Sequence, residues 1–83
     1  MASIRVTVPD SPDITFEVRD LGGGQTLVIR VNKATNTTST MLLDGKEAER
    51  LENELLYIEL TNEDERDVAT LVSEYLNGVM LDA

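Results

Sequence analysis

Met41-Leu42-Leu43-Asp44-Gly45-Lys46-Glu47-Ala48 is the stretch at which the spacing of apolar residues changes. Before it, apolar side chains recur every second residue, the repeat of a strand with one buried face. After it they recur every three or four residues, the repeat of a helix with one buried stripe. Asp44-Gly45-Lys46-Glu47 is a D-x-x-E signal, so the Asp44 carboxylate is expected to accept an N–H of the first helical turn. Strands first and helices second predict an α+β fold.

Working back from Asp44, Ser39–Leu43 is a short fourth strand with hydroxyl residues first and Met41, Leu42 and Leu43 at its end. Lys33–Thr38 is polar and turns the chain. In the third strand, about 25–32, Leu27, Ile29 and Val31 alternate with Val28, Arg30 and Asn32, and the first set is assigned to the core. Asp20-Leu21-Gly22-Gly23-Gly24-Gln25 is a hairpin loop, with glycines that supply positive φ at little steric cost. The second strand, about 13–19, points Ile14, Phe16 and Val18 to the core. Pro9-Asp10-Ser11-Pro12-Asp13 breaks it from the first strand, about 3–8, which contributes Ile4, Val6 and Val8. Short loops between alternating strands predict a four-stranded antiparallel meander.

Working forward, Ala48, Leu51, Leu55 and Ile58 lie on one stripe of a helix over about 45–58. Leu56-Tyr57-Ile58-Glu59-Leu60 is β-prone, so helix and extended chain both remain open there. Thr61-Asn62-Glu63-Asp64 is a second cap, opening a helix over about 62–77 whose stripe is Val68, Leu71, Val72, Tyr75, Leu76 and Val79. Asn77-Gly78 reads as its end. The two C-terminal helices are expected to pack on one face of the sheet, with Leu51, Leu55, Val68, Leu71, Val72 and Tyr75 completing the core.

The chain has 83 residues, enough for one domain, 1–83, and little enough to make a deep walled cavity hard to build. It has no cysteine and no histidine, which removes disulfides, thiolate metal sites, thiol nucleophiles and the usual general base. Its net charge of −9 opposes direct binding of nucleic acid or an anionic membrane. No basic region followed by an apolar run opens the sequence, and no apolar window is long enough to span a bilayer, so a cytoplasmic location is expected.

The charge is unevenly placed. Residues 1–43 hold four acids and four bases, whereas residues 44–83 hold twelve acids and three bases, Lys46, Arg50 and Arg66. The helical half therefore carries the whole net charge. Acids are ordinary on helix surfaces and in first turns, where the macrodipole stabilises them. A face of this density also fits a basic protein partner, and Glu49, Glu52, Glu54, Glu63, Asp64 and Asp67 are the candidate binding residues.

Other patterns carry less. Asn62–Asp67 has part of a calcium loop, but Arg66 takes a ligand position and no central glycine follows, so no metal or other cofactor is expected. Gly22-Gly23-Gly24 lacks the lysine and Ser/Thr of a phosphate loop and leads into a strand. Asn36-Thr37-Thr38 matches a glycosylation acceptor by chance. Arg5, Arg19 and Arg30, beside Glu17 on the outer sheet face, read as a mixed-charge ladder and not as a nucleic-acid patch. A homodimer is expected through the uncharged strand edge around Thr38–Leu43, with the tail Val79-Met80-Leu81 packing across the axis.

The expectation for function is a small acidic, non-catalytic binding module that engages or inhibits a protein with a basic, nucleic-acid-binding type of surface. Strands followed by acidic helices are similar in style to small accessory proteins of phages and bacterial mobile elements, though no motif carries residues over. An immunity protein or antitoxin for a basic toxin, and a structural homo-oligomeric subunit, are the alternatives. A carboxylate-dependent hydrolase ranks last, because two carboxylates need a substrate-sized cleft between them.

Overall fold

In a computed structural model that describes residues 3–81, the chain forms four strands and then two helices. The strands are β1 (Ser3–Thr7), β2 (Ile14–Gly22), β3 (Gln25–Asn32) and β4 (Thr37–Asp44), and the helices are α1 (Gly45–Thr61) and α2 (Glu65–Leu81). Met1, Ala2, Asp82 and Ala83 lie outside the described residues, so the ends of the expected domain and one of the twelve acids, Asp82, do too. The sheet is an antiparallel meander in the order β1-β2-β3-β4, and both helices pack on one face of it. The expected α+β architecture is the observed one.

The covered face holds Phe16, Val18, Thr26, Val28 and Leu43 from the sheet and Ala48, Leu51, Leu55, Ile58, Val72 and Leu76 from the helices, all buried. Val6, Val8, Ile14, Met41, Val68, Tyr75, Val79 and Met80 pack half-buried around them. Ile4 lies at the periphery and is exposed. Leu71, assigned to the core by its spacing, is exposed as well, because the buried arc of α2 centres on Val72 and Leu76.

β3 faces the opposite way from the sequence expectation. Its covered residues are Thr26, Val28 and Arg30, while Leu27, Ile29 and Val31 lie on the uncovered face. A two-residue turn at Gly23-Gly24 with unbroken pairing would place Val18 opposite Ile29 and Phe16 opposite Val31. Instead the register shifts between Asp20 and Gly22, so that Val18 pairs with Val28 and Phe16 with Arg30. One extra residue, Leu21, sits in that bulge, and a one-residue slip turns every side chain of the following strand over. Gly22, Gly23 and Gly24 all have φ between 62° and 79°, which only glycine adopts without strain in such a run.

The helices also depart from expectation at their ends. Asp44 is the N-cap of α1, yet its carboxylate makes no capping hydrogen bond. The chain enters the helix through Gly45 at φ 56°, whose N–H donates to the Gly24 carbonyl instead (3.1 Å). Residues 56–60, open in sequence, are helical through Thr61. Gly78 does not end α2: the helix runs on to Leu81, since Val79 and Met80 still find the core. α1 leaves β4 and reaches β1, where Leu55 shares a groove with Ile4; α2 starts beside β1 and returns to bring Tyr75 and Val79 against Met41 and Leu43.

Candidate functional site

The sheet's uncovered face is built in rows across the strands: Ser3–Arg19–Leu27–Leu42, Arg5–Glu17–Ile29–Thr40 and Thr7–Thr15–Val31–Thr38. Arg19 donates to both carboxylate oxygens of Glu17 (3.0 and 3.1 Å), and Arg5 approaches the same group at 3.7 Å. The Arg19 hydrogen bonds, aided by the charges of Arg19 and Arg5 and opposed by partial burial, hold the Glu17 carboxyl below its usual range. The Arg19 guanidinium is raised in turn, first by its hydrogen bonds to Glu17. Arg30 does not join this ladder. Its row runs Phe16–Arg30–Ser39 on the helix side, where its Nε is buried without a hydrogen-bond partner. The expected row of three arginines is thus two arginines sharing one glutamate.

The six candidate acids fall into separate groups. Glu49 and Glu52 are exposed on the first half of α1, over a shallow recess shared with Asp20, Lys46 and the Gly22–Gly24 turn. Glu54 is half-buried, and its charge, after burial itself, raises the Tyr75 hydroxyl against the opposing effect of Arg50. Glu63, Asp64 and Asp67 are exposed around the junction of α1 and α2. At 1.5 Å of rise per residue, Glu49 and the junction stand roughly 20 Å apart along α1. The acids make two poles and not one continuous patch.

The poles are unequal. At the start of α1, Lys46 and Arg50 offset Glu47, Glu49 and Glu52. At the junction, Glu59, Glu63, Asp64, Glu65 and Asp67 are accompanied on the helices by one base, Arg66, which is already bound to Asp10 of the β1–β2 loop at 3.0 Å, and across from them by Arg5 of β1, which approaches Glu17 at 3.7 Å. The Arg66–Asp10 pair ties α2 to the loop after β1. Asp64 caps α2, since its carboxylate accepts the Arg66 N–H (2.8 Å) and its carbonyl the Val68 N–H (3.0 Å). This carboxylate therefore has a local structural task besides its contribution to the field.

Between β1 and the junction runs an open groove of about 480 Å³. Its walls include Ile4, Val6, Leu55, Val68 and Val72, all apolar, and Glu59, Glu63 and Glu65 stand along it, with Arg5 on the β1 side. The outer crest of α1 exposes Leu56 (54%), Tyr57 (63%) and Leu60 (76%); Leu56 shares a recess with Ile4, Leu55 and Glu59, whereas Tyr57 borders Lys46, Glu49 and Arg50 on another flank of the helix. Apolar walls flanked by carboxylates suit a lysine or arginine, whose long stem lies on apolar surface while its charged head reaches an acid. Of the candidate acids only Glu63 lines this groove. Glu59, Glu65 and the apolar crest were missed by the sequence reading. A helical wheel carried through residue 60 would have put Leu56, Tyr57 and Leu60 opposite the buried stripe, but it requires 56–60 to be helical.

Among the described residues no group of three or more Asp or Glu side chains is arranged to hold a metal ion, and no helix is long and apolar enough to cross a membrane. Set against family models, curated proteins and solved structures, the chain finds no match.

Proposed function

We propose that the chain is a non-catalytic binding module that engages the basic surface of a protein partner through the helix-junction pole. The observation that carries this reading is the groove between β1 and the junction, with apolar walls and Glu59, Glu63 and Glu65 beside it. A basic side chain in that groove gains both apolar contact and charge pairing. The exposed Leu56, beside Leu55 and Glu59, supplies an apolar anchor next to that groove. The net charge of −9 steers a cationic surface toward the molecule, and salt screens that attraction.

The test compares two triads of charge reversal in affinity capture from a bacterial lysate at low and high salt. Glu59→Lys with Glu63→Lys and Glu65→Lys is expected to abolish capture of basic proteins. Glu47→Lys with Glu49→Lys and Glu52→Lys, equal in charge change but at the other pole, is expected to slow capture without abolishing it. Both variants should keep the wild-type circular dichroism spectrum, since exposed substitutions usually cost under about 0.5 kcal/mol each. Equal capture by the junction variant and the wild type would refute the site. Equal loss in both variants would reduce it to bulk charge.

A further inference from the structure

We infer that β4 pairs with β4 of a second copy, joining two sheets into one eight-stranded antiparallel sheet about a two-fold axis at Thr40. The inference is independent of the helix-junction reading and rests on hydrogen-bond geometry. The Gly45 N–H bonds to the Gly24 carbonyl, so Gln25 and Asp44 are a non-hydrogen-bonded pair. Alternation along an antiparallel ladder then fixes every residue of β4. Thr37, Ser39, Met41 and Leu43 bond to β3, whereas Thr38, Thr40 and Leu42 turn their N–H and C=O groups outward, with Asp44, the N-cap of α1, in the same phase at the strand's end. Among the described residues no strand lies beyond β4 in the sheet.

The two edges of the sheet are treated differently by the sequence. The same alternation at β1, set by the Val8 N–H to Ile14 carbonyl bond, turns the backbone groups of Ser3, Arg5 and Thr7 outward. That edge is five residues long, carries the Arg5 charge at its centre and is followed by Pro9. A short edge with a charge and a nearby proline deters pairing. β4 is eight residues long, contains no charge from Thr37 to Leu43, has no proline and shows no bulge. It has none of the usual deterrents.

A second copy is the occupant that fits. Thr38, Thr40 and Leu42 are spaced evenly about Thr40, so a two-fold axis there sets each Thr40 against its copy and each Thr38 against the partner's Leu42. The six outward donors and acceptors of Thr38, Thr40 and Leu42 in each strand are then satisfied, Asp44 lying past the paired segment, and residues that share a face in one copy share it in the pair, which keeps both helical layers on one side. Asp44 of each copy meets the other's β3–β4 turn, which carries Lys33, so charges at the ends of the pairing are complementary. On the helix side, a groove walled by Met41, Leu43, Tyr75 and Val79, with Glu47, Arg50 and Glu74 along it, lies next to the axis, as does Leu42 (55% exposed) on the other face. The contact would run along the whole eight-residue edge of β4 together with the side chains that flank it on both faces of the sheet.

Sedimentation of the full chain at concentrations up to about 0.1 mM is the test. The wild type should sediment at twice 9.2 kDa, and more so as salt screens the repulsion between two acidic chains. Thr40→Pro removes an outward N–H only, so it should give a folded monomer, while Ser39→Pro breaks the bond to β3 and should unfold the chain. Thr40→Lys sets two charges face to face on the axis and should also give a folded monomer, which keeps the test decisive if the proline variant fails to fold. A wild-type monomer overturns the inference, as does a dimer that survives Thr40→Lys. A Ser39→Pro variant as stable as Thr40→Pro overturns the assignment of outward groups. Capture by the helix-junction triad is read separately, on the partner and not on the mass of the chain, so failure of one does not imply failure of the other.

Discussion

Exchanging Val28 and Ile29 for threonine, one at a time, measures which face of β3 meets the core. Threonine keeps the β-branch and the strand preference, so the two variants differ chiefly in what surrounds the new hydroxyl. Val28 is fully buried between Val18 and Met41 in its row, with helices above. A hydroxyl placed there without a partner costs about 1–3 kcal/mol, and about 2 kcal/mol is expected. Ile29 is half-buried on the uncovered face between Glu17 and Thr40, where water and polar neighbours accept a hydroxyl. Ile29→Thr should cost under about 1 kcal/mol, the share of a lost methylene that was only partly covered. With a urea slope near 1 kcal/mol/M for a chain this small, Val28→Thr should lower the midpoint by about 2 M and Ile29→Thr by less than about 1 M. Protein concentration is held equal, so that self-association does not enter the comparison. A larger loss for Ile29→Thr than for Val28→Thr would refute the bulge at Leu21 and restore the register that alternation alone suggests.

Two further outcomes follow from buried polar groups. Ser73 is buried in α2 with an Oγ that has no hydrogen-bond partner, so Ser73→Ala should stabilise the fold by about 1 kcal/mol and raise the thermal midpoint by about 4–8 °C; a lower midpoint would refute the unpaired hydroxyl. Tyr75 is raised above 10.0, by burial first and by Glu54 second, so the folded chain keeps its proton while the unfolded chain loses it. Stability is then unaffected by Tyr75 below about pH 10 and falls as pH rises toward the folded value, and Tyr75→Phe should remove that part of the alkaline loss in urea melts at pH 9 and 11.

The order of elements was legible because each rests on a local signal. Period-two runs separated by Pro9–Asp13, the glycine turn and Lys33–Asn36 specify a meander, and the change of period at Asp44 specifies helices. The face of β3 was not legible, for a physical reason. Leu27, Ile29 and Val31 are a more apolar set than Thr26, Val28 and Arg30, so a rule that buries the greasier face selects the wrong one. The choice is made at Leu21, where three consecutive glycines allow the hairpin to close with or without an extra residue. The end of α2 was hidden similarly, since a local stop signal at Gly78 is outweighed by two more side chains that reach the core. In the site, the exposure of Glu49, Glu52, Glu63, Asp64 and Asp67 could be read from the apolar stripes. The groove could not, because it exists only when Ile4 and Val6 from one end of the chain meet Leu55 and Val68 from the other.

The division of charge has a consequence for how the two proposed surfaces coexist. The acids of the helical layer repel one another, and that repulsion is tolerable in a two-layer fold because the sheet layer is close to neutral. A second copy that approached through the helices would bring two acid-rich surfaces together. A copy that approaches through the β4 edge meets a strand uncharged from Thr37 to Leu43, with Glu47 and Glu74 offset in part by Arg50 on the helix side, and the junction poles stay at the far, β1 side of each sheet, free for a basic partner. Pairing therefore doubles the acidic field without covering the groove. The two associations also respond to salt with opposite sign: screening weakens an attraction between unlike charges and relieves a repulsion between like ones. A single salt series followed by both sedimentation and capture separates them, because one curve must rise where the other falls. Two curves falling together would show that the acids of the helical layer, and not the strand edge, hold the copies to each other.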